Sequence, residues 1–188
     1  MRHSTCTHLM VLLLAGLAGS IAEEVHPQPL PLGQEEYLDA EDWFLSGLAL
    51  NSAGRYQDAA LAFARSLDIN PESAAAWLNL GTVEALNGDF QQAIKDLKKA
   101  LSLAPKLSLG YSNLAEVYFR VQQYPEAAEA YRSLLELTPE DSNGHYKLGL
   151  CYLYLGEAGK AQGEYLALKL LDPDLAGKLI RAINQRGT

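Results

Sequence analysis

Prolines 71, 105, 139 and 173 stand 34 residues apart, three intervals in succession. A chain that repeats at a fixed period of this length is built from copies of one small unit. No such unit buries its own apolar face, so the copies must stack into an array. Aligning the chain on the prolines brings further columns into register. Residues 43, 77, 111 and 145 read Trp, Trp, Tyr, His; residues 47, 81, 115 and 149 read Gly, Gly, Ala, Gly. Ala stands at 59, 93, 127 and 161, and Phe, Leu, Tyr, Tyr stand at 63, 97, 131 and 165. Gly occupies 54, 88 and 156, with Gln122 in the third unit.

Each unit reads as two helices. The pairs Asn70-Pro71, Thr138-Pro139 and Asp172-Pro173 offer a side-chain oxygen and a proline, the ordinary signal for a helix start. Ala104-Pro105 lacks the capping oxygen. Trp77, Leu80 and Gly81 then share one helical face, where the small residue lets a neighbouring helix approach closely. Gly88 in "LNGD" suits a turn that needs a positive φ, and a second helix is predicted from about Phe90 to Leu103. In the fourth unit, Gly159 and Gly163 fall inside the second helix and lower its intrinsic stability.

These columns resemble the tetratricopeptide repeat, whose pattern W-x2-L-G-x2-Y…A-x3-F…P is built on 34 residues. The first unit keeps Trp43, Gly47, Ala59, Phe63 and Pro71; the second keeps Trp77, Leu80, Gly81, Ala93 and Pro105. The third keeps Leu114, Tyr118, Ala127 and Pro139, and the fourth Leu148, Gly149, Tyr152, Ala161 and Pro173. Ser46, Glu84 and His145 depart from it. The resemblance implies an all-α fold, a right-handed superhelical α-solenoid of four helix pairs. The units fall at about 40–73, 74–107, 108–141 and 142–173, within 37–173. Residues 174–188 read as a capping helix and tail, with Leu175, Leu179, Ile180 and Ile183 on one face and Lys178, Arg181 and Arg186 on the other.

Ahead of the array, residues 1–22 have the order of a secretory signal peptide. Arg2 precedes an apolar run from Leu9 to Ala18, and Ser20-Ile21-Ala22 suits cleavage. The run is short of the roughly 20 residues that span a bilayer. Residues 23–36, with "VHPQPLPLG", read as a proline-rich linker. Cleavage near Ala22 leaves an exported chain, periplasmic or secreted, with membrane association only if the leader stays attached.

Charge and composition exclude several functions. The formal net charge is −8, and losing residue 2 makes the remainder more acidic, so neither nucleic acid nor an anionic membrane surface is an expected partner. After cleavage one cysteine, Cys151, remains, and no internal disulfide forms. Cys151, His26 and His145 have no spacing that closes a metal site. His145 reads as a packed core residue, since its counterparts are aromatic. Glu35, Glu36, Asp39, Glu41 and Asp42 gather at a helix start and complement its dipole. No catalytic residues, cofactor, metal or small-molecule substrate are expected.

The function expected is protein binding. The first helix of each unit carries a second stripe, about 100° from the packing stripe. It holds Phe44, Leu45 and Leu48, then Leu78, Asn79, Thr82 and Leu86. It continues with Ser112, Asn113, Glu116, Phe119 and Arg120, and ends with Asn143, Tyr146, Lys147, Leu150 and Tyr154. The resemblance implies that these helices line a concave peptide-binding groove, with Asn79 and Asn113 holding a peptide backbone. The resemblance also includes a carboxylate clamp of basic and amide residues. Leu78, Thr82 and Asn143 break it here, although Asn113 and Lys147 fit. An adaptor for an extended segment or amphipathic helix is the leading expectation. A self-associating scaffold and a secretion-type chaperone are the alternatives.

Overall fold

A computed structural model describes residues 38–186, all of whose regular structure is helical. The leader at 1–22, the proline-rich linker at 23–36 and residues 187–188 lie outside the described residues. Four antiparallel pairs follow one another: α1 (Ala40–Ser52) with α2 (Tyr56–Ile69), α3 (Ala74–Asn87) with α4 (Phe90–Leu103), α5 (Ser108–Arg120) with α6 (Tyr124–Leu137), and α7 (Ser142–Tyr154) with α8 (Ala158–Leu171). A ninth helix, α9 (Pro173–Arg186), closes the end. Each helix packs on its neighbours in sequence, and α9 lies against both α7 and α8, so the array is an all-α solenoid with a covered end.

The columns of small and large residues become helix contacts. A methyl group added at Gly47 would fall 2.5 Å from the Phe63 ring, and one at Gly81 would fall 2.8 Å from Leu97 Cγ. In the fourth unit the notch at Gly149 is filled by Leu179 of α9, which would lie 2.5 Å from such a methyl group. Leu179 has no exposed surface, and Leu168 and Ala176 are buried with it. The rest of the stripe on α9, Leu175, Ile180 and Ile183, is half-buried, while Lys178 and Arg181 face outward.

The helix starts need a correction. Prolines 71, 105 and 139 do not begin helices; they sit in turns three residues before them. The side chains of Ser73 and Asp141 cap α3 and α7, accepting from the backbone of Ala76 and Gly144. Asp39 caps α1 in a reciprocal box with Asp42. Asn70 is used one step earlier, accepting from Glu72 N inside the turn. At the fourth proline the expectation holds: Pro173 opens α9, and Asp172 Oδ1 accepts from Asp174 and Leu175.

The turn column divides as its residue types suggest. Gly54, Gly88 and Gly156 have φ of 72°, 94° and 76°, and Gln122 is forced to 62° in the third unit. A left-handed conformation costs a residue with a Cβ roughly 1–2 kcal/mol, while glycine loses about 0.5–1 kcal/mol in chain entropy. Gln122→Gly should therefore raise stability by about 0.5–1 kcal/mol. Equilibrium urea unfolding reads the change; a loss of stability would refute the strain.

Candidate functional site: the concave stripe

Along the second stripe of the first helices, hydrogen bonds between side chains join the second unit to the third and the third to the fourth. Asn113 Nδ2 donates to Thr82 Oγ1 at 2.8 Å, bridging the third unit to the second. Thr82 Oγ1 in turn donates to Leu78 O at 2.7 Å. Lys147 Nζ donates to Glu116 Oε2 at 2.8 Å, bridging the fourth unit to the third. Both bridges join residues 31 apart, so they are the same contact repeated one unit later. Asn79 does not continue the series; its Nδ2 donates at 2.8 Å to Ala75 O of its own helix. The amides expected to hold a ligand backbone thus donate within the chain.

Glu116 is the hub. Besides Lys147 it accepts from Arg120 Nε at 3.3 Å and from the Tyr131 hydroxyl at 3.2 Å. Burial works to raise its pKa, but the hydrogen bond and charge of Lys147, with Arg120 and Tyr131, outweigh burial and hold the carboxyl below its ordinary value. Tyr131 is pushed the other way, by burial first and then by the Glu116 charge. Arg120 and Lys147, the two cations of the expected groove, are therefore both engaged by one carboxylate.

The apolar part of the stripe is uneven. Phe119, Tyr124 and Tyr154 form one aromatic cluster: Tyr124 and Tyr154 stack at 4.3 Å, and Phe119 meets both edge-on, at 5.5 and 5.7 Å. Lys147 Nζ lies 5.1 Å from the Phe119 ring centroid. Tyr154 is 45% exposed, and Leu45, Leu48 and Leu86 are also exposed. Ser112, Tyr146 and Leu150 are half-buried. Leu78 departs from expectation: it is only 8% exposed and belongs to the core. Phe44 turns partly inward and packs on Phe63 at 5.7 Å.

Two polar pairs between helices were not anticipated as pairs. His145 is not an apolar packing residue: Nδ1 lies 2.6 Å from Glu164 Oε2, and Nε2 lies 2.9 Å from Pro139 O. Trp77 uses the same anchor one period pair earlier, donating to Pro71 O at 2.8 Å. In the second unit Glu84 of α3 faces Asp96 of α4, which is 1% exposed and accepts from Gln92 at 3.1 Å. Both line a cleft of about 650 Å³ walled by Leu61, Leu67, Trp77 and Leu80.

Burial, the hydrogen bond to Asp96 and the Asp96 charge push Glu84 up to about 8 from 4.5. In the folded state its acid form holds the pair together. The unfolded chain releases that proton near pH 4.5. Stability from this pair is thus full below pH 4.5, falls as pH rises toward 8, and is gone above it. Glu84→Gln keeps a donor toward Asp96 at every pH. Melting temperature should decline from pH 5 to 8 more steeply in the parent than in Glu84→Gln, and parallel slopes would refute the shared proton.

One tetratricopeptide repeat model matches residues 32–74 and 44–108, and a second matches 84–145. The chain belongs to the tetratricopeptide repeat family, a class whose members are helical protein-interaction modules. No curated protein matches the sequence. Among solved structures it is similar to MamA from Desulfovibrio magneticus, at 24% identity and a TM-score of 0.69, over 75% of this chain and 80% of that one. It is similar to the first TPR of Spaghetti (RPAP3) bound to HSP90 peptide SRMEEVD, at 22% identity and 0.61, over 63% and 94%. A tetratricopeptide repeat protein from Parabacteroides merdae matches at 22% and 0.72, over 78% and 59%. At these identities the likeness is one of fold.

Proposed function

We propose that the chain is an exported, non-catalytic adaptor whose concave stripe takes a protein or peptide segment through apolar and aromatic contact. One observation carries the reading: Thr82, Asn113, Glu116, Arg120 and Lys147 of the stripe are bonded among themselves, while Leu45, Leu48, Leu86 and Tyr154 keep exposed surface on three of the four first helices. Exposed apolar surface arrayed this way is what an amphipathic helix or an extended apolar segment needs. An acidic peptide terminus fits poorly, because Lys147 and Arg120 already serve Glu116. The neighbouring Spaghetti repeat bound to an HSP90 peptide supports the general mode, a peptide held by this kind of fold, and no more.

The export part of the reading rests on residues 1–22 alone, whose basic start, apolar run and small residues direct the chain to the periplasm or outside the cell. The test uses the protein as bait in a cell-envelope extract beside Leu48→Ser/Asn79→Ala/Tyr154→Ala, checked for equal helicity. Partners held by the parent and lost by the triple variant support the stripe as the site. Identical partners on both baits overturn it.

A further inference from the structure

The outer face of α8 differs from that of every other second helix. Gly159, Gly163, Leu166 and Leu170 recur at spacings of four, three and four, so they form one stripe. Leu170 is 90% exposed and Leu166 is 55% exposed. One period earlier, Leu166 and Leu170 are matched by Arg132 and Glu136; two periods earlier, by Lys98 and Ser102. Those are the charged and polar residues that a solvated face carries. The glycines are not required by this chain's own packing either, since a methyl group at Gly159 or Gly163 would meet nothing within 4 Å. Each nonetheless lowers helix stability by about 0.5–1 kcal/mol relative to alanine.

We infer that the α8 outer face docks against the same face of a second copy of this chain, antiparallel and related by a two-fold axis. The argument is self-complementarity. A dyad passing between residues 164 and 165 sets Gly163 opposite Leu166 of the second copy and Gly159 opposite Leu170. Each exposed leucine then enters the space left by a glycine, and each glycine lets the opposing helix approach.

The electrostatics agree. The stripe holds no carboxylate, in a chain of net charge −8 that repels its own copies elsewhere. On one flank Lys160 is already paired with Glu157 at 2.8 Å and comes beside Ala167 of the second copy. On the other flank Gln162 comes beside Lys169 of the second copy, an amide oxygen next to an ammonium, so the lysines never face each other. Antiparallel alignment also sets the positive end of each helix dipole by the negative end of the other. A 14-residue helix is about 21 Å long. One helix pair buries less than the roughly 1,200 Å² of stable complexes, so the dimer is weak and concentration-dependent.

The surface is separate from the concave stripe, and its test leaves that stripe untouched. Sedimentation equilibrium of the full chain, from low to high micromolar concentration, should show monomer passing to dimer. Leu170→Glu should raise the dimer Kd at least about ten-fold. Gly163→Leu should do the same by filling the gap, while keeping or raising the melting temperature of the dilute monomer, which separates lost docking from lost folding. A chain that stays monomeric throughout overturns the inference. So does a dimer indifferent to either substitution, or larger assemblies that both variants retain.

Discussion

Leu179→Ala is expected to lower stability by about 2–5 kcal/mol, the range for a buried leucine truncated in a core. Leu179 has no exposed surface, and its two methyl groups occupy the notch above Gly149, as Phe63 and Leu97 of the second helices do above Gly47 and Gly81. Removing them leaves a void bounded by α7, α8 and α9. Partial collapse of the terminal helix into that void sets the lower end of the range. Contacts in the array run between neighbours, so the damage should be local at first. Amide hydrogens of α9 and α8 should exchange faster, while those of α3 and α4 keep parent protection. Urea unfolding and hydrogen exchange check the two halves of the result. A cost under about 1 kcal/mol with α9 still protected would mean that other contacts hold the end of the array.

The period made the helices legible. Gly47, Gly81 and Gly149 announced close approach, and Gly54, Gly88 and Gly156 announced turns, because glycine has few other reasons to recur at a fixed interval. The helix starts were misread for a specific reason. Asn70-Pro71 satisfies the rule for a cap and a first helical residue, yet the pair forms a turn and the cap comes at Ser73. Asp39, Ser73 and Asp141 form their own column at the 34-residue period, broken by Leu107, and that column carried the information.

The candidate site was less legible, because it depends on how units stack. That Asn113 meets Thr82 and Lys147 meets Glu116 requires the offset between successive first helices, which no periodicity supplies. Single departures such as Glu84 and His145 were visible, but their meaning lay in a second column. Positions 62 and 130 are alanine, whereas 96 and 164 are Asp and Glu, and these acidic residues face Glu84 and His145 respectively. These two departures from an aromatic, Glu84 and His145, are thus each matched by an acid on the paired helix.

Gly81→Val should destabilise the array by at least about 1–3 kcal/mol. Two effects oppose each other. Replacing an interior helical glycine reduces the entropy lost on folding, a gain of a few tenths of a kcal/mol for a β-branched residue. Against that, a Cβ at 81 would sit 2.8 Å from Leu97 Cγ and 3.1 Å from both Ala93 O and Leu97 N. Leu97 and Ala93 have no exposed surface, and two of the three opposing atoms are not on flexible side-chain ends. So α3 and α4 must part, and the steric term wins. The control is Gly163→Ala, where the added methyl group meets nothing within 4 Å and only the entropy gain remains. In dilute protein, thermal unfolding should show opposite signs for the two sites, a loss at 81 and a gain at 163. Equal signs would mean that helix propensity, not the distance between α3 and α4, governs these glycines.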